Sequence, residues 1–219
     1  MNKFLCGFTK VTGWLPFIIG NRPKVYYENK KLQSRKIKGK AIVMPNHCSV
    51  WDVASMMYLF PGRNLRCVVA ELMFEKSKIF TWFLKGLGSI PVNRNTADFT
   101  FLNKSCEILD KNGVIEIYPE ARIPLKGEER PLPFKTSIVY MALKSGAPII
   151  PVVTNGEYCK KKRLRILIGT PINLLSLYDN KLPEKENIEI MTNMLRDKIK
   201  ELSDELEKRS AKKQKSKKI

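Results

Sequence analysis

Six short apolar runs, each closed by a glycine, a proline or a polar turn, confine this chain to a narrow set of folds. KAIVMPN (residues 40–46) lies between Gly39 and Pro45; LRCVVAE (65–71), SIPVNR (89–94), VIEIYPE (114–120), IIPVVT (149–154) and RLRILIG (163–169) follow. Runs of this length, bounded by turn residues, read as buried strands. Between them lie stretches with helical spacing: residues 49–60, apolar nearly all round; 72–84, ended by Gly86 and Gly88; 97–110, ended by Asn112 and Gly113; and 136–144, closed by Ser145 and Gly146. A last helix carries Ile188, Met191, Leu195, Ile199, Leu202 and Leu206 on one stripe. Strand and helix in alternation predict an α/β fold, a single domain with a mostly parallel sheet flanked by helices.

The 219 residues are enough for one domain with its own core. The expected division is an N-terminal segment and linker over 1–37, the α/β domain over 38–207, and a Lys-rich, disordered tail over 208–219. Residues 24–40 read as a polar, basic connection. In the N-terminal segment Phe4, Phe8, Val11, Leu15 and Ile18 recur at helical spacing, with Lys3 and Lys10 flanking. That pattern fits a helix packed on the core and equally an amphipathic helix lying in a membrane interface. Its longest apolar run, 14–19, is far too short to cross a bilayer.

Net charge is +19, from 40 Lys and Arg against 21 Asp and Glu. Such a chain seeks an anionic partner: nucleic acid, an anionic membrane surface or a phosphorylated small molecule. Nucleic acid is not expected, because the lysines gather in tails and no basic surface interleaved with aromatics is visible. Five cysteines without C-x-x-C spacing read as reduced thiols in a cytosolic compartment. With one histidine in the chain, no zinc-site spacing exists.

That histidine stands in PNHCSVWD (45–52). Ser49 and Asp52 have capping-box spacing ahead of an apolar helix, which alone would make His47 an incidental loop residue. Yet His47 precedes the cap, so its imidazole can fold back toward Asp52. A carboxylate on Nδ1 fixes the tautomer and leaves Nε2 as a base, the arrangement of a Ser-His-Asp triad without its serine. Cys48 and Ser49 are too close in sequence to His47 to serve as its nucleophile. The nucleophile is then the substrate's own hydroxyl.

Three further stretches, in order, join this one: GSIPVNR (88–94), YPEARI (118–123) and APIIPVV (147–153), with PLPFKTS (131–137) between the last two. Together they resemble the glycerophospholipid acyltransferase family, which includes the 1-acylglycerol-3-phosphate (lysophosphatidic acid) acyltransferases; the resemblance covers roughly residues 38–170. It implies that His47 and Asp52 are the catalytic pair of the family's H-x4-D block. Gly88, Asn93 and Arg94 would match its second block, and Glu120 and Arg122 its third, as acceptor-binding residues. Ala121 departs from the family's usual glycine, and no threonine precedes Arg122.

The implied activity is acyl transfer from an acyl thioester, acyl-CoA or acyl-carrier protein, to the free hydroxyl of 1-acylglycerol-3-phosphate, giving phosphatidic acid. The thioester is a co-substrate, and no metal or other cofactor is implied. Arg94 and Arg122 would clamp the acceptor phosphate. The basic charge would then serve an anionic membrane, at the cytoplasmic face of which the protein would sit as a peripheral or monotopic enzyme. Alternatives are another lyso-lipid or glycerol phosphate as acceptor, an idle membrane-surface adaptor, and a nucleic-acid-binding protein.

Overall fold

The computed structural model describes residues 1–93, 99–159 and 162–215. Its centre is a seven-stranded sheet. The strands are β1 (Lys24–Tyr27), β2 (Ala41–Pro45), β3 (Leu65–Ala70), β4 (Ile90–Val92), β5 (Val114–Glu116), β6 (Ile149–Thr154) and β7 (Arg165–Ile168). Their spatial order is β1-β7-β6-β2-β5-β3-β4, and every pair is parallel except β6 with β7. The helices are α1 (Lys3–Asn21), α2 (Asp52–Leu59), α3 (Leu72–Glu75), α4 (Lys78–Leu87), α5 (Thr100–Asp110), α6 (Ser137–Ser145) and α7 (Glu184–Lys215).

Central strands are buried on both faces, which is why they read as continuous apolar runs rather than alternating ones. On β2, Ile42 and Met44 enter one core with Ile138 of α6 and Leu195 and Ile199 of α7. Ala41 and Val43 enter the opposite core with Met56 and Leu59 of α2. The helices that follow the two central strands, α2 after β2 and α6 after β5, therefore leave on opposite faces. The carboxyl ends of β2 and β5 are left side by side at such a switch point, where open α/β sheets place their ligands.

Four expectations need correction. Residues 24–40 are not all linker: Lys24–Tyr27 form β1, whose Tyr26 pairs with Leu167 of β7, so the sheet begins before residue 38. Val, Tyr and Tyr suit a strand, and the flanking lysines suit an edge. The helix expected over 72–84 is two, α3 and α4, broken at Ser77, which is extended and accepts the Phe80 N–H at 3.1 Å as an N-cap. The tail is helical as far as Lys215 rather than disordered from 208. Continuing an already docked helix avoids the penalty of starting one, and Arg209 anchors this turn by donating to the Tyr27 carbonyl and pairing with Glu205. Helix α5 starts at Thr100, and 94–98 lie outside the described residues.

α1 is one helix despite Pro16 and its glycines. It packs on α2 and α4. Gly13 permits this approach, since a Cβ there would stand 1.8 Å from the Tyr58 hydroxyl, which donates to Thr9 O. Among the described residues no helix is long and apolar enough to cross a membrane.

Candidate active site

The site is assembled where β2 and β5 end. Asn46, first residue past β2, accepts from the Thr154 N–H at 2.8 Å and donates to the Thr154 carbonyl at 3.0 Å. These two bonds tie the end of β2 to the end of β6. His47 comes next, and its main-chain N–H donates to Glu120 Oε1 at 2.9 Å. Glu120 Oε2 accepts from Leu132 N at 3.0 Å. Burial pushes the Glu120 carboxyl upward and these two N–H groups pull it back. Glu120 thus holds the loop that carries His47 and does not reach for Arg122.

The imidazole is fixed on two sides. His47 Nδ1 lies 2.9 Å from Asp52 Oδ2. That oxygen also accepts from Cys48 N at 2.6 Å and Ser49 N at 2.8 Å, while Oδ1 accepts from the Tyr158 hydroxyl at 2.6 Å. With three other donors directed at it, the carboxylate acts as acceptor toward His47, so Nδ1 is the nitrogen that donates. The Tyr118 ring covers the imidazole, centroids 4.4 Å apart. Asp52 is fully buried. The bond to Ser49 N is the returning half of a capping box; the forward half is absent, since Ser49 Oγ accepts from Trp51 N at 3.3 Å. The helix cap and the His47–Asp52 pair are therefore one arrangement.

Cys48 is no rival nucleophile. Burial, reinforced by Asp52, pushes its thiol up to about 11, leaving it protonated at neutral pH. All five cysteines are free thiols.

Two cavities meet at His47. One, of about 660 Å³, is mainly apolar, with Val53, Val68, Met73, Phe101, Ile117 and Tyr118 among its walls. The other, of about 590 Å³, is polar and includes Asn46, Arg130, Thr154 and Arg165. Of the remaining expected site residues, Asn93 lines the apolar cavity at the end of β4. Arg122 also lines it, but its two terminal nitrogens are each 2.7 Å from a Glu128 carboxylate oxygen, a partnership that holds Glu128 down to about 2. Gly88 lines neither; it closes α4 in the left-handed conformation with φ 80°. Arg94 lies outside the described residues.

Asn46, Tyr158 and Arg130 were not anticipated. No local spacing announces them: Tyr158 stands 106 positions from Asp52, and only the fold joins them.

The departure at residue 121 has a local cost. Ala121 has φ 60°, inside the region where a Cβ is crowded. The turn that brings Glu120 beneath His47 demands this conformation, and glycine would adopt it freely.

A family model described as acyltransferase matches residues 24–155. The human 1-acyl-sn-glycerol-3-phosphate acyltransferase alpha is 29% identical over 126 residues, 56% of this chain and 44% of that protein. The 1-acyl-sn-glycerol-3-phosphate acyltransferase of Bacillus subtilis (strain 168) is 27% identical over 130 residues, 57% of this chain and 62% of that protein. The chain spans about half the length of the curated relatives it matches. The crystal structure of the 1-acyl-sn-glycerophosphate acyltransferase PlsC from Thermotoga maritima superposes with a TM-score of 0.65 at 18% identity, covering 92% of this chain and 80% of that one. That likeness carries the fold.

Two outcomes follow from this geometry. Ala121→Gly is expected to stabilise the protein by about 0.5–1 kcal/mol, the left-handed penalty relieved less glycine's extra chain entropy; a lowered thermal midpoint would contradict the strain. Glu116, buried on β5 with the Tyr118 hydroxyl donating to it at 2.6 Å, is pushed by burial from 4.5 to about 8. The native state therefore keeps this proton where the unfolded chain has lost it, and stability falls as pH rises from about 4.5 to about 8, then levels. Glu116→Gln stays neutral throughout, so its thermal midpoint should fall less than that of the wild type between pH 5 and pH 8. Parallel curves for the two proteins would contradict the assignment.

Proposed function

The chain belongs to the acyltransferase family, and from that premise we propose that it transfers an acyl group from an acyl thioester to the free hydroxyl of 1-acylglycerol-3-phosphate, giving phosphatidic acid. The observation that carries the reading is the pairing of His47 with a buried, fully bonded Asp52 at 2.9 Å, where an apolar and a polar cavity meet. His47 Nε2 takes the proton of the acceptor hydroxyl as its oxygen attacks the thioester carbonyl. The tetrahedral intermediate expels the thiolate, and His47 returns the proton to it. Asp52 keeps the tautomer and stabilises the imidazolium that forms in between. The apolar cavity suits a hydrocarbon chain beside the reacting carbonyl. Acyl-CoA and acyl-carrier protein present the same thioester, and either serves as donor. The activities for which the relatives are named favour this acceptor over another lyso-lipid.

The same reading puts the protein at a membrane surface, on the cytoplasmic face, as a peripheral or monotopic enzyme. In support, α1 turns Phe4, Phe8, Val11, Leu15 and Ile19 outward, all more than half exposed. Ile79 and Trp82 of α4, the helix against which α1 packs, are also exposed. Such a surface buries its apolar area in an interface while neighbouring lysines meet anionic lipid.

Thiol release from acyl-CoA or acyl-carrier protein, measured with and without lysophosphatidic acid, tests the transfer. Release is expected only with acceptor and is expected to fall by at least about a thousandfold in His47→Ala. Release that needs neither acceptor nor His47 would overturn the reading. Sedimentation with anionic liposomes tests the surface: replacing Phe8, Val11 and Leu15 together with serine should leave most of the protein in the supernatant, and unchanged co-sedimentation would reject it.

A further inference from the structure

The resemblance places the phosphate clamp on Arg94 and Arg122, yet Arg122 is engaged with Glu128 on both of its terminal nitrogens. The polar cavity holds another cation next to the base. Arg130 Nη1 lies 3.9 Å from Cys48 Sγ, the residue that follows His47. Arg130 is exposed, lines the polar cavity together with His47, and forms no ion pair among the described residues.

Two carboxylates feel the Arg130 charge, Glu120 and Glu128, and each already has other partners, Glu128 the Arg122 guanidinium. The Cys48 thiol is protonated at neutral pH. Glu120, whose carboxyl feels the Arg130 charge, already spends one oxygen on His47 N and the other on Leu132 N. Arg165 and Lys162 add positive charge to the same cavity. Glu157 and two carboxylates of α7, Asp204 and Glu207, line it too and repel an anion, so its place in the cavity is against the cations.

Acceptor chemistry sets the distance. In 1-acylglycerol-3-phosphate the reacting hydroxyl and the phosphate ester sit on adjacent carbons. Once the hydroxyl is at His47 Nε2, the phosphate is confined to the immediate surroundings of the base. The phosphates of a coenzyme or carrier arm, in contrast, lie a full pantetheine length from the thioester sulfur. A cation that shares the cavity with His47 and touches the residue beside it therefore matches the acceptor.

We propose that the acceptor's phosphate monoester binds in the polar cavity against Arg130, with the donor's acyl chain in the apolar cavity on the other side of His47. This rests on the acceptor proposed above and adds a residue that the family motifs do not point to. A guanidinium meets a phosphate with two parallel N–H bonds, which fixes the glycerol orientation as well as its affinity.

Steady-state kinetics of Arg130→Ala and Arg130→Lys, with acceptor and thioester donor varied in turn, test it. Loss of the contact should raise the KM for lysophosphatidic acid about ten- to a hundredfold. The donor KM should stay unchanged, and lysine should recover part of the loss. An unchanged acceptor KM in an active Arg130→Ala enzyme would overturn the assignment alone. So would a rise confined to the donor KM, which would give Arg130 to the carrier's phosphates. Absence of acceptor-dependent transfer by the wild type, with both thioesters tried, would overturn the underlying reading and this inference with it.

Discussion

One buried carboxylate organises this protein's chemistry. Asp52 has no solvent and gathers four bonds, from the His47 imidazole, two consecutive main-chain N–H groups and the Tyr158 hydroxyl. A charge in that position is tolerated only because it is fully partnered. The same bonds that satisfy it start α2, orient the His47 imidazole and bind the loop after β6 to the loop after β2. Removing any one of the donors leaves the carboxylate short of a partner, so the base and the fold around it are coupled. Tyr158 shows the coupling from the other side: burial and the nearby Asp52 charge both raise its hydroxyl, which stays a donor.

Around that centre the sheet separates two solvent qualities. The mainly apolar cavity lies under β3, β4 and the start of α6, and the polar one under β6, β7 and α7. The proposed transfer between a fatty thioester and a phosphorylated alcohol would use both qualities side by side. The switch point between β2 and β5 supplies this, because helices leave there on opposite faces and the gap between them is open on both sides. Among the described residues His47 alone lines both cavities, so in the proposed transfer it is the side chain placed to meet both reactants.

The sequence announced the parts whose logic is local. The alternation of apolar runs with helical stretches is a property of each segment alone, and it predicted the parallel α/β sheet. His47 and Asp52 were legible because five residues span a single turn and cap. Strand β1 was hidden by its shortness: Lys24–Tyr27 is four residues at the head of a basic stretch, too short to stand out as an apolar run. The break at Ser77 was hidden inside an apolar stretch whose periodicity runs through it. Tyr158, Asn46 and Arg130 were out of reach for a different reason: each acts across about 80 to 110 positions, and only strand order brings such residues together. The motif-based role for Arg122 overlooked Glu128, six positions away, which competes for the same guanidinium.

Residue 121 shows how the site constrains the chain even where it does no chemistry. For Glu120 to place its two oxygens on His47 N and Leu132 N, the backbone must turn sharply just after it, and it does so at positive φ. An alanine there bears steric strain that a glycine would not. The strain persists because the surrounding bonds outnumber it: Ala121 N donates to Tyr118 O at 3.0 Å, Lys135 N to Pro119 O at 2.9 Å, and both Glu120 oxygens are engaged. The turn's shape is thus imposed from His47 outward, and the identity of residue 121 changes stability rather than the position of the base.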